Sequence, residues 1–239
     1  HSRSRRQRQM CIRDRLSNDI EKHPDFIKIE KFAFEKFGLA AMSHRHGVFG
    51  MQQPLPPIVK YGLTFLFVQS EFGLCCPLSM TDSLTRTLTK FGDKKLIDKF
   101  FDQLTSQDLD RLFQGAMFMT EQHAGSDVGS IDTYAECEDG NWFLTGDKWF
   151  CSNPDADLAM VLARHDKTIS GTKGLALFLL PKKLENGNQN NYEIIKLKDK
   201  LGGRSFASGE IRLNRAFAYL VGKPDEGFKQ MTDMINMSR

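Results

Sequence analysis

The feature that most constrains this chain is a change of hydrophobic period at Gly115. Before it, apolar residues return every three or four positions, the spacing of a helix with one buried face. Phe26, Ile29, Phe32, Ala33, Phe37 and Ala40 form such a stripe on an otherwise charged segment. Pro56 and Pro57 suit a helix start, and Ile58, Tyr61, Leu63, Phe65 and Val68 follow as its apolar positions. Thr81, Asp82 and Ser83 are placed to cap a helix over residues 84–91 that stops at Gly92. Leu96, Ile97, Phe100, Phe101 and Leu104 repeat the pattern, and a shorter helix is expected over residues 108–113. Residues 16–114 thus predict a bundle of about five helices.

Beyond Gly115 the period becomes two and turn residues recur every eight to twelve positions. Residues 134–138 and 141–144 flank Asp139-Gly140, a pair that tolerates the positive φ values of a tight hairpin turn. Further strands are expected at 158–163, 175–180, 193–197 and 210–213, making residues 115–222 a small β-barrel or sandwich. From Asp225 the helical period returns in Phe228, Met231, Met234 and Ile235. Residues 223–239 therefore predict the start of a C-terminal helical domain, truncated here because one opening helix cannot bury its own apolar face. The fold class is α+β: an N-terminal helical bundle, a middle β domain and an incomplete C-terminal helical domain.

The +3 formal net charge does not signify a nucleic-acid protein. Residues 1–15 hold six arginines and one acid, and the remaining chain has 27 basic against 29 acidic residues. That stretch has the Arg- and Ser-rich character of a transit peptide, and also of a disordered arm or non-native residues; it is set aside from the fold. The longest apolar runs, residues 58–68 and 175–180, fall short of the ~20 residues of a spanning helix. Five cysteines, an odd number without a C-x-x-C pair, predict a reducing compartment and no metal site. The location expected is cytoplasmic, or mitochondrial in a eukaryote. Cys75-Cys76 suit small buried hydrophobes rather than a redox pair.

Two segments carry the chemistry. The run from Met117 through Phe118, Met119, Thr120 and Glu121 to Ala124-Gly125-Ser126-Asp127 delivers a hydroxyl and a carboxyl from an apolar stretch. It continues into a small-residue loop whose backbone N–H groups can face anionic oxygens. About twenty residues later, Gly146-Asp147-Lys148-Trp149-Phe150-Cys151-Ser152-Asn153 offers aromatic surface followed by a hydroxyl. An apolar wall with a few polar groups at its edge suits a flat heteroaromatic ligand.

Together with Lys198-Asp199-Lys200-Leu201-Gly202-Gly203-Arg204-Ser205, these motifs resemble the acyl-CoA dehydrogenases in order and spacing over roughly residues 16–239. Lys148-Trp149-Phe150 and residues 197–202 and 205–208 are most similar to the branch containing the alkylation-response protein AidB. The resemblance implies FAD as cofactor and an acyl-CoA substrate. It implies that Met117, Phe118, Met119, Thr120, Gly125 and Ser126 lie along FAD, Thr120 at the pyrimidine edge. Ser126 would also meet the acyl-CoA. Phe150, Cys151 and Ser152 would pack along the isoalloxazine with a hydroxyl near N5, and Trp149 could share that role.

The reaction so implied removes an α-proton and sends a hydride from the β-carbon to flavin N5. Its glutamate base lies in most members beyond the position of Arg239, and Ser238 stands at the alternative position; no catalytic residue is therefore assigned within this chain. Glu121 is expected to be structural, as is Arg204, and His44, His46 and His123 are expected to be solvated or satisfied. Gln122 in place of proline and Cys151-Ser152 in place of Ile-Thr depart from the family pattern. The implied partners are a homo-oligomer, a tetramer in the full-length protein, and an electron-transfer flavoprotein. The alternative function is an AidB-like flavoprotein that binds DNA, with weak dehydrogenation. The 239 residues alone are expected to retain flavin poorly and to be inactive.

Overall fold

A computed structural model of the chain describes residues 11–14 and 19–238. Among the described residues four α-helices precede the central strands: α1 (Pro24–Glu30), α2 (Pro57–Val68), α3 (Cys75–Phe91) and α4 (Lys94–Leu104). α1 runs into a π-helical turn, Lys31–Lys36. Part of the stretch set aside above is ordered into the fold, since β1 (Cys11–Asp14) pairs antiparallel with β2 (Asp19–Glu21). Residues 1–10 and 15 of that stretch lie outside the described residues.

Seven further strands form the middle of the molecule: β3 (Gly115–Phe118), β4 (Tyr134–Glu138), β5 (Asn141–Ser152), β6 (Leu158–Arg164), β7 (Leu175–Pro181), β8 (Tyr192–Leu197) and β9 (Ser208–Val221). They close into a barrel. β6 pairs with β7, β7 with β9 and β9 with β5, while β3 bridges β5 back to β6 through a parallel ladder from Gly115↔Leu158 to Phe118↔Val161. Asp139 and Gly140, at φ 50° and 80°, make the expected hairpin turn between β4 and β5.

β6 and β7 read as unbroken apolar runs because both of their faces are covered. Ala159, Val161, Ala176, Phe178 and Leu180 point into the barrel. Met160, Leu162, Leu177 and Leu179 point outward, against Leu84, Leu88 and Phe100 of α3 and α4. The last helix, α5 (Gly227–Ser238), seats Met231 and Met234 on the same outer layer, fully buried, and Asp233 is held by Arg86 and Lys90. Its apolar face is thus covered by the barrel.

The helical block departs from the sequence expectation in four places. The π turn widens the helix, so Phe34 is buried while Phe32 and Phe37 are exposed. α3 begins at Cys75, so Thr81, Asp82 and Ser83 lie inside it; Thr81 and Thr85 return their hydroxyls to carbonyls one turn back. Residues 108–113 form a turn closed by Leu112 N–H to Asp108 O, without a helix. α2 buries Lys60 and exposes Ile58 and Phe65, the reverse of its expected stripe.

Gly227 sits against β7 so closely that a β-carbon would meet the Ala176 backbone at 2.4 Å, whereas at Gly62 on α2 it would meet nothing. Gly227→Ala should cost about 1–3 kcal/mol through overpacking. Gly62→Ala should gain about 0.5–1 kcal/mol from helix propensity. Urea unfolding midpoints check both.

Candidate functional site

The two segments singled out in the sequence lie side by side at the barrel's closing seam. Met117 pairs with Ser152, the Lys148 ammonium donates to Met119 O at 3.2 Å, and Trp149 N–H donates to Thr120 O at 2.8 Å. β3 ends at Phe118, and the chain turns at once into a loop whose Glu121 and Ala124 exchange backbone hydrogen bonds.

That loop is fixed by a buried ion pair. The Glu121 carboxylate accepts from Lys148 Nζ at 2.8 Å and from the N–H groups of Asp132 and Thr133 at 2.7 and 3.0 Å. Burial alone would raise the Glu121 carboxyl; Lys148 beside it, with the hydrogen bonds from Thr133 and Asp132, holds it below the usual range. Burial likewise draws the Lys148 ammonium down, against the support of Glu121. Each charge sustains the other, and Glu121 is structural, as expected. The role of Lys148 was not legible beforehand, although an aliphatic stem carrying one charge between Asp147 and Trp149 is the side chain that can reach back to an acid on the neighbouring segment.

Strand alternation divides the remaining residues. Phe118 and Cys151 are buried in the barrel interior, so only their backbone is left to a ligand. Met117, Met119, Thr120, Trp149 and Ser152 are half-buried, and Phe150, Gly125 and Ser126 are exposed. The Thr120 hydroxyl and the N–H groups of Gly125 and Ser126 have no hydrogen-bond partner among the described residues. A β-carbon at Gly125 would meet nothing, so the fold does not itself require glycine there. Lys198 lies 3.1 Å from the Trp149 ring centroid and 4.8 Å from that of Phe150, and pairs with Glu210 at 2.8 Å. An aromatic wall, an unpaired hydroxyl and free N–H donors beside small residues fit a flat polar-edged ring with an anionic tail.

Ser152 connects this seam to a cavity. Its hydroxyl is 3.3 Å from that of Ser208, which accepts from Lys200 Nζ at 3.0 Å, and it neighbours the Cys76 thiol, which burial pushes up. Cys75 and Cys76 are half-buried and line the cavity, rather than filling a core. The cavity, about 370 Å³ and mainly apolar, lies between α2, α3 and the end of α5, with Leu39, Val68, Phe72, Leu78, Phe206 and Met237 among its walls. Ser238 lines it too, its hydroxyl turned back to Ile235 O.

The other expectations resolve locally. His44 bonds to Asp82, His46 is exposed, and His123 lies 3.1 Å from Asp132 at the surface. Arg204 donates to Lys200 O and faces Asp199. Among the described residues no three His, Cys, Asp or Glu side chains could hold a metal ion, and no helix is long and apolar enough to cross a membrane.

A strand barrel closed by this seam, with helices packed on its outer layer, is the architecture of a flavoenzyme class, the acyl-CoA dehydrogenases; residues 116–216 match the family model described as acyl-CoA dehydrogenase, middle domain. The chain belongs to the acyl-CoA dehydrogenase family. It is 38% identical over 203 residues to acyl-CoA dehydrogenase family member 11 of Caenorhabditis elegans, spanning 80% of this chain and 33% of that protein. To AidB of Escherichia coli (strain K12) it is 37% identical over 183 residues, spanning 73% of this chain and 33% of AidB. The crystal structure of Caenorhabditis elegans ACDH-11 in complex with C11-CoA matches with a TM-score of 0.83 and 30% identity, covering 98% of this chain and 42% of that one. The chain thus spans about a third of the length of these two curated relatives.

Glu121→Gln should cost about 3–5 kcal/mol near neutral pH by stranding Lys148 in the interior. The native pair's contribution is complete above the ordinary carboxylate value of 4.5 and is lost as the pH falls through the lower folded-state pKa. The variant should therefore lose less further stability than the native chain on acidification, measured by urea titrations at neutral pH and at about pH 3.

Proposed function

We propose that this chain is the flavin- and acyl-binding part of an FAD-dependent acyl-CoA dehydrogenase, acting on the α,β-carbons of an acyl-CoA thioester. The observation that carries the proposal is the juncture at Ser152, which belongs to the seam carrying a wall suited to a flat ring and neighbours Cys76 in the lining of an apolar cavity suited to an acyl chain. FAD, when bound, accepts the hydride from the substrate β-carbon.

The chain's own residues bind and orient. Thr120 offers its hydroxyl to a polar ring edge, and Trp149 and Phe150 supply flat surface beside the seam. The N–H groups of Gly125 and Ser126 suit a pyrophosphate, and Ser126 would also meet the acyl-CoA. The cavity walls exclude water from the acyl chain. The relative crystallised with C11-CoA supports a thioester of this kind. No catalytic base is assigned: the carboxylate lining the cavity, Asp82, is bonded to both Lys60 and His44.

An acyl thioester is favoured over DNA because three of the basic side chains around the barrel are held by neighbouring acids. Arg212 holds Asp147, Arg215 holds Glu138, and Lys198 holds Glu210. A duplex needs several such cations free for its phosphates.

Gly125→Val should weaken FAD binding about tenfold or more by filling the space a pyrophosphate would take, while leaving the thermal midpoint nearly unchanged, because the site has room and ordinary backbone angles. Flavin fluorescence titration with parallel thermal melts checks this. A full-length protein that neither binds FAD nor responds to acyl-CoA would refute the assignment.

A further inference from the structure

The far end of the cavity is unlike the rest of its walls. α2 turns Lys60 inward to 5% exposure, and its ammonium pairs with Asp82 Oδ2. The other carboxylate oxygen, Oδ1, lies 2.8 Å from His44 Nε2. Lys60 and Asp82 both line the cavity, beside Thr64 and Ser79.

An ammonium carries three N–H donors. One is used on Asp82, the Tyr61 ring centroid lies 4.1 Å away, and no other acceptor among the described residues takes the remainder. A buried donor without a partner is costly, so this corner favours a ligand atom that accepts a hydrogen bond. Asp82 already balances Lys60, and a second anion would arrive without a counter-charge. A hydroxyl meets both conditions, since it accepts from Lys60 and donates to a spare lone pair of Asp82. The corner is distant from the reacting end: Asp82 follows Cys76 by six residues of α3, roughly 9 Å along the axis, and Cys76 is the cavity residue that neighbours Ser152.

We propose that the cavity selects acyl-CoA thioesters bearing a hydroxyl toward the distal end of the acyl chain over unsubstituted chains of equal length, with Lys60 and Asp82 as the specificity-determining pair and His44 orienting Asp82. This rests on the acyl-thioester assignment made above, and it adds a preference that an apolar cavity alone would not have.

The test is isothermal titration of the purified protein with octanoyl-CoA, dodecanoyl-CoA and the omega-hydroxy derivative of each. At one chain length or both, the hydroxylated thioester should bind about tenfold tighter than its unsubstituted counterpart, the gain of one hydrogen bond to a charged group. Lys60→Met combined with Asp82→Leu removes both charges together; it should abolish that gain, read as the ratio of the hydroxylated to the unsubstituted affinity at each length. Unsubstituted chains binding as tightly as hydroxylated ones at both lengths would overturn the preference and leave the acyl assignment standing. Absence of binding by all four thioesters would overturn both. A gain that survives in a folded double variant, judged by circular dichroism, would overturn the assignment to Lys60 and Asp82. The comparison of ligands on the native chain decides the preference even where the variant does not fold.

Discussion

The candidate site depends on how the barrel closes. β3 is only four residues long, and it meets β5 through the single pair Met117↔Ser152. So short a ladder cannot by itself hold two segments in register. The Glu121–Lys148 pair extends the seam past the end of the strand. Lys148 reaches out of β5 to bond Met119 O and the Glu121 carboxylate, and Glu121 in turn takes the N–H groups of Asp132 and Thr133. One lysine side chain thus ties the strand, the loop and the approach to β4 together. Removing two charges from water costs several kcal/mol per ion, which is offset only by this degree of hydrogen bonding. The loop that follows is thereby free to leave its own N–H groups unpaired.

How much of this the sequence shows depends on whether the signal is local. The Asp139-Gly140 hairpin and the β6 and β7 runs are legible because turn chemistry and continuous apolar stretches act over a few residues. Adjacency of the Met117–Thr120 and Trp149–Ser152 stretches was legible through the family resemblance, not through periodicity. The failures arise where an irregular turn shifted the local period or a distant partner overrode it. A π turn shifts the phase that places Phe34 inward, and no periodicity rule anticipates an extra residue in one turn. Thr81, Asp82 and Ser83 have the chemistry of a cap, yet the helix begins at Cys75 and their polar groups are satisfied by neighbouring carbonyls and by residues of other elements.

α2 is the sharpest instance. Its sequence alone would bury Ile58 and Phe65; instead Lys60 is buried, because Asp82 and His44 lie beneath it. That outcome is unfavourable by hydrophobicity and is sustained by one ion pair with a hydrogen-bonded third member. Helix orientation and cavity chemistry are therefore the same fact. Replacing the cluster by apolar residues would leave a cavity of similar size with no means of distinguishing one chain from another.

The seam and the cluster both set geometry through a buried lysine. At the seam, Lys148 spends two of its three donors on the protein, on a carboxylate and a backbone carbonyl, and it does not line the cavity. At the cluster, Lys60 has a single hydrogen bond to protein and faces open volume. The contrast separates a lysine that builds a site from one that faces what the site receives. Burial alone does not make that distinction, since both side chains are nearly inaccessible. Position relative to the cavity does, and under the proposal above it puts specificity on α2 and α3, away from the strands of the seam.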